Sequence, residues 1–159
     1  MKFIASKKLS NNATLRAVIL WMLIAIILAM GLSLSAKSID FGLTPDTWVT
    51  TVLGNESEFV DPLLFSDLLL KIHTDLFGLI ITFILIASLY VRTSRTTRTK
   101  IILFALLLIT LLSYPIGLLV SSVFGGISVI IALGSFILFH SVIILMSTDL
   151  FIALIRRRL

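Results

Sequence analysis

The chain has 159 residues, 58% of them apolar and only 13% charged, and its net charge is +5. Its mean hydropathy is +1.16. A soluble domain of this length has too little interior to hide that much apolar surface, so lipid must solvate much of it. Cysteine is absent, which excludes disulfides, thiolate metal sites, Cys nucleophiles and covalent c-type haem.

The positive charge does not point to nucleic acid. Lys2, Lys7, Lys8 and Arg16 precede the first apolar run, Arg92, Arg95, Arg98 and Lys100 lie between two others, and Arg156, Arg157 and Arg158 close the chain. Such cations hold helix ends at anionic headgroups. A nucleic-acid groove instead needs basic residues interleaved with aromatics on a folded surface.

The first apolar stretch runs from Ala17 to about Ala36. It matches the roughly 20 residues needed to cross the hydrocarbon layer, and it exceeds the usual core of a cleaved signal peptide. Cleavage after Ser33-Leu34-Ser35 or Ala36 is the competing reading, and it would leave three spans.

The segment 37–67 follows, with Asp40, Asp46, Glu56, Glu58, Asp61 and Asp67 against Lys37. Within it, Thr44-Pro45-Asp46 offers an N-cap, a proline at the first helical position and an acid near the positive dipole end. Trp48, Val49, Val52 and Leu53 then share one side of a short helix that Gly54 ends. That helix either lies at the membrane interface with Trp48 as its anchor or packs over the bundle as a lid. Asn55-Glu56-Ser57 matches a glycosylation sequon, a weak signal.

The second stretch runs from about Leu68 to Val91 and contains His73. Asp67, Lys71 and Asp75 recur at i, i+4 and i+8 on one face of it. The spacing predicts an ion-pair ladder in which Lys71 neutralises Asp75. Asp75 lies about 160° around the helix from His73, so the two cannot form a direct dyad. Asp75, Lys71 and His73 are also candidate steps of a proton path entered from the acidic side.

The third stretch, Ile101 to about Val120, contains Tyr114-Pro115, which should kink it. The fourth, from about Ile127 to Ile155, contains His140 and is longer than a bilayer requires. It must tilt, kink at Gly134 or project from the membrane. Asp149 near its end should pair with a cation at the inner face. Small residues recur every four positions in Thr74/Gly78/Thr82, Ser113/Gly117/Ser121 and Ser128/Ala132, and such stripes let membrane helices approach closely.

The expected fold is an all-α, antiparallel four-helix membrane bundle forming a single domain over residues 1–159. The basic segments contain eleven of the thirteen cations. The positive-inside rule therefore places both termini in the cytoplasm and the partly structured loop outside. The expected location is the cytoplasmic (inner) membrane of a bacterium.

The two histidines are the main candidates for chemistry, because ionisable groups at membrane depth are costly. His73 lies nineteen residues before Arg92 and His140 sixteen before Arg156, a height mismatch of about 4–5 Å. That permits joint ligation of a haem b or a metal ion, as in bis-histidine bundles, whose likeness here rests on architecture and two residues. The leading expectation is therefore an electron-transfer protein that exchanges electrons with quinone or a partner subunit. Two others stand beside it: a non-catalytic accessory or assembly subunit, alone or as a homo-oligomer, and a metal-ion or proton pathway. Nothing in the sequence settles whether the chain is an enzyme.

Overall fold

The computed structural model describes residues 13–93 and 95–156. Lys2, Lys7 and Lys8 of the basic arm, and Arg157 and Arg158 of the tail, lie outside the described residues.

Helices account for most of the described chain, and an isolated β-bridge joins Asn55 to Val60. Four helices, α1 (Ala13–Phe41), α3 (Phe65–Tyr90), α4 (Thr97–Leu119) and α6 (Gly126–Ile155), are long and apolar enough to cross a membrane. The short α2 (Pro45–Leu53) and a 3₁₀ turn (Glu56–Glu58) fill the segment between α1 and α3, and α5 (Ser121–Phe124) joins α4 to α6.

Local chemistry fixes the breaks. Thr44 caps α2, accepting from the Thr47 amide at 3.2 Å, while the Thr47 hydroxyl takes the Thr44 amide at 3.2 Å. This reciprocal capping box, with Pro45 at the helix start, is the signal read from the sequence. Gly42 (φ 84°) and Gly54 (φ 79°) occupy the left-handed backbone region that favours glycine. A β-carbon on Gly42 would lie 2.3 Å from the Thr47 hydroxyl oxygen, so the α1–α2 corner leaves no room for one.

α1 runs five residues beyond the apolar stretch that marked it. Lys37 and Phe41 are buried on its inner face, so those turns belong to the bundle rather than to the loop. α6 continues unbroken past Gly134, and α4 carries Pro115 inside a continuous helix.

α6 is the hub. It packs most extensively on α4 and also touches α1, α2, α3 and α5. Gly117 explains the intimacy with α4: a β-carbon there would sit 2.7 Å from the Ser128 carbonyl and 3.0 Å from the Ala132 β-carbon. By contrast, nothing lies within 4 Å of the β-carbon position of Gly78. The second-helix stripe is thus not used for packing at that point. α1 leans on α6 and α2 but has no extensive packing against α3.

α2 is a lid. Trp48 is only 3% exposed, stacks on Phe41 at 4.6 Å between centroids, and donates its indole N–H to the Gly42 carbonyl at 3.2 Å. The interfacial-anchor reading of Trp48 is therefore corrected: its ring packs inward, against Phe41 and Phe136.

Candidate functional site

Beneath the lid, side chains from all four long helices meet in a polar cluster. Ser33, Lys37 and Asp40 recur on α1 at i, i+4 and i+7, the spacing that places residues on one helix face. Lys37 is 5% exposed, and its Nζ lies 2.6 Å from Oδ2 of Asp75 on α3. The hydroxyl of Tyr114, from α4, donates to the same carboxylate oxygen. A short way toward the surface, Lys71 Nζ pairs with Asp40 Oδ2 at 2.7 Å, with both side chains partly exposed. The Phe41 ring lies between the two cations, 5.0 Å from Lys37 Nζ and 5.5 Å from Lys71 Nζ. Its face attracts both ammonium groups.

These pairs correct the expected ladder along α3. Lys71 does not neutralise Asp75. It reaches across to Asp40, while the cation on Asp75 comes from α1. The reason is direction: Asp75 faces the bundle, where Lys37 can reach it, while Lys71 lies at the more open rim.

His140 occupies the next layer. It is wholly buried, with Nδ1 2.8 Å from the Phe136 carbonyl and Nε2 3.1 Å from the Ser33 hydroxyl. A carbonyl can only accept, so in the neutral ring Nδ1 carries the proton and Nε2 accepts from Ser33. The ring lies 4.1 Å from that of Phe136, which in turn lies 5.1 Å from the Tyr114 ring. An aromatic stack thus links the two halves of the cluster.

His73 stands apart. It lies on the exposed face of α3, on the far side of the helix from the inward-facing Asp75. The structure does not bring His73 and His140 together, and both nitrogens of His140 already have partners within the chain. Among the described residues no group of three or more His, Cys, Asp or Glu side chains could hold a metal ion.

A second charged cluster lies at the opposite end of α3 and α6. Asp149 accepts from Arg95 at 2.5 and 2.9 Å and from the Tyr90 hydroxyl at 2.9 Å. The cation therefore comes from the α3–α4 turn. Lys100 in the same region donates to the Val91 and Thr93 carbonyls, each at 2.7 Å, and so caps the end of α3.

The sequence reading passed over Lys37 and Tyr114. Lys37 looked like a loop residue because hydropathy falls off after Ala36. Its available signal was the i, i+4, i+7 spacing with Ser33 and Asp40. Tyr114 stands out in the sequence only as the neighbour of Pro115.

Residues 42–159 match a family model, Aq_1264_TM, described as a transmembrane helical domain. The chain belongs to that family. It is an integral membrane protein with four spans. The matched segment holds Asp75, Tyr114 and His140, whereas α1, which supplies Ser33, Lys37 and Asp40, precedes it. No curated protein and no solved structure matches the chain.

Proposed function

We propose that the protein is a proton-coupled membrane protein whose proton-binding group is Asp75. The observation that carries this reading is a carboxylate within a membrane helix, held by the buried Lys37 ammonium and the Tyr114 hydroxyl. Ionisable groups inside spans are expensive to keep and mark functional sites by default. A buried ion pair adds little to stability compared with apolar residues of the same volume, so stability alone is a poor reason to retain one. The partly exposed Asp40–Lys71 pair, at 2.7 Å, supplies a polar rim between this carboxylate and water.

The direction of proton access follows from charge. The acidic 37–67 segment lies at the Asp75 end, and Arg92, Arg95, Arg98, Lys100 and Arg156 lie at the other. By the positive-inside rule the Asp75 end faces away from the cytoplasm, with both chain termini inside. Protons would thus reach Asp75 from the extracytoplasmic side. Lys71 serves as a rim residue, and Tyr114 is the hydroxyl partner of Asp75.

Infrared difference spectroscopy of the reconstituted protein tests this. Acidification should produce the C=O stretch of a protonated carboxyl that Asp75→Asn removes. An identical difference spectrum in the variant would refute it.

A further inference from the structure

We infer that α1 is a latch: protonation of Asp75 frees the Lys37 end of α1 and opens the seam between α1 and α3. This rests on the reading of Asp75 as the proton-binding group and says what that event does to the fold.

The seam is held by side chains rather than by packing. α1 and α3 have no extensive contact, although both lean on α6. Across the gap at one end run two ionic contacts, Lys37 to Asp75 at 2.6 Å and Lys71 to Asp40 at 2.7 Å, with the Phe41 ring of α1 5.5 Å from Lys71 Nζ. A further polar contact of α1, Ser33 to His140, ties it to α6. These polar contacts come from the single face that carries Ser33, Lys37 and Asp40. The other half of α1 packs on the bundle through apolar side chains, Ile19, Leu23, Ile26 and Met30 among them. Between helices in lipid such apolar contacts have no hydrophobic drive, because lipid tails are equally apolar. An unpaired buried charge at the lid end, rather than apolar packing, therefore decides whether α1 stays docked there.

Protonation changes the balance in one direction. The charged and titratable groups around the Asp75 carboxylate are Lys37 and Asp40 from α1, Lys71 from its own helix, Tyr114 from α4 and His140 from α6. The lid helix α2 contributes the aromatic Trp48 to this region. One added proton leaves a neutral Asp75 beside a buried ammonium, with the Tyr114 hydroxyl unable to accept its charge. An uncompensated buried cation is strongly disfavoured, whereas a neutral pair is not. Lys37 gains by swinging toward the rim, where water and Asp40 can receive it, and α1 must move to let it. The Gly42 corner, with its left-handed backbone, sets the pivot next to the lid.

The absence of cysteine makes the test clean, because spin labels attach only where cysteines are introduced. Ile39→Cys on α1 and Leu70→Cys on α3 are both exposed sites that flank the seam. Ile109→Cys on α4 with Ile131→Cys on α6 is a reference pair across the packed half. Distances would be measured by electron–electron double resonance on full-length protein in phosphatidylcholine–phosphatidylglycerol vesicles. In the wild-type background the seam distance should lengthen and broaden when the vesicles are acidified from about pH 8 to about pH 4, while the reference distance stays fixed. Asp75→Asn should show the long distance at both pH values. Lys37→Met combined with Asp75→Asn leaves no buried charge, so it should show the short distance at both, and it keeps the test decisive if Asp75→Asn alone fails to fold. A seam distance that ignores pH, while the infrared band of protonated Asp75 still appears, overturns the latch and leaves the proton site standing. A pH response that persists in the double variant overturns it too. Absence of the Asp75 band instead removes the reading beneath it.

Discussion

Replacing the Lys37–Asp75 pair one partner at a time should reveal a large, asymmetric coupling. Asp75→Leu leaves a Lys37 ammonium that is 5% exposed without its anion and strands the Tyr114 hydroxyl. Removing one partner of a buried pair costs about 3–5 kcal/mol. Lys37→Met is milder, because Asp75 keeps the Tyr114 hydroxyl as its hydrogen-bond donor. The loss of a charged hydrogen bond sets its cost at about 1.5–3 kcal/mol. The double variant replaces the pair with apolar groups and strands only Tyr114, at about 1–3 kcal/mol. The coupling is then about 4 kcal/mol at mid-range, the excess of the two single costs over the double. Asp40 and Lys71, with side chains 40% and 32% exposed, should couple by less than about 1 kcal/mol. Reversible unfolding in mixed detergent micelles, followed by far-ultraviolet circular dichroism, measures both cycles. Additive single costs at Lys37 and Asp75, or a larger coupling at the rim pair, would refute the assignment of the buried pair.

Three further outcomes follow from the same geometry. His140→Ala should cost about 2–4 kcal/mol, since it empties a wholly buried site and strands partners on α1 and α6. His73→Ala, on an exposed face, should stay within about 0.5 kcal/mol, and unfolding of the two variants side by side checks the order. Gly117→Ala should destabilise by about 1–3 kcal/mol, because its β-carbon would meet the Ser128 carbonyl at 2.7 Å. Gly78→Ala meets nothing within 4 Å and should be neutral or slightly stabilising, which the same assay reads. Thr44→Ala should lower stability by about 1 kcal/mol through loss of the α2 cap, detectable as earlier proteolysis of the 42–64 segment.

Local features of the fold were legible in the sequence, and long-range ones were not. The four spans follow from runs of about twenty apolar residues, and the short helix α2 follows from Thr44-Pro45-Asp46 and the Trp48/Val52 spacing, which do not decide between a lid and an interfacial helix. The ends of the spans were less legible. Hydropathy cannot tell a charged loop residue from a charged residue that a helix buries against a partner, so on hydropathy alone α1 ends at Ala36 and Lys37 falls in the loop. The pairing failed for a related reason. Along α3 alone, Lys71 is the obvious neighbour of Asp75. Only the approach of α1 across the top of α6 brings Lys37 closer. The histidines show the same limit: depth in a span was readable at about 1.5 Å per residue, but the face was not. His73 points out of the bundle and His140 into it. Gly117 and Gly78 sat in equivalent small-residue stripes, yet only the first meets a neighbouring helix.

The most direct test of Asp75 as the proton-binding group is a count of protons taken up by the reconstituted protein as pH falls from about 8 to about 4. Uptake would be followed with a calibrated pH dye in the wild-type protein, Asp75→Asn and Asp40→Asn. The geometry predicts that Asp75→Asn takes up a single proton fewer per chain, and that the missing step returns when Asp75 is restored. Uptake curves that coincide for the wild-type protein and Asp75→Asn would contradict it.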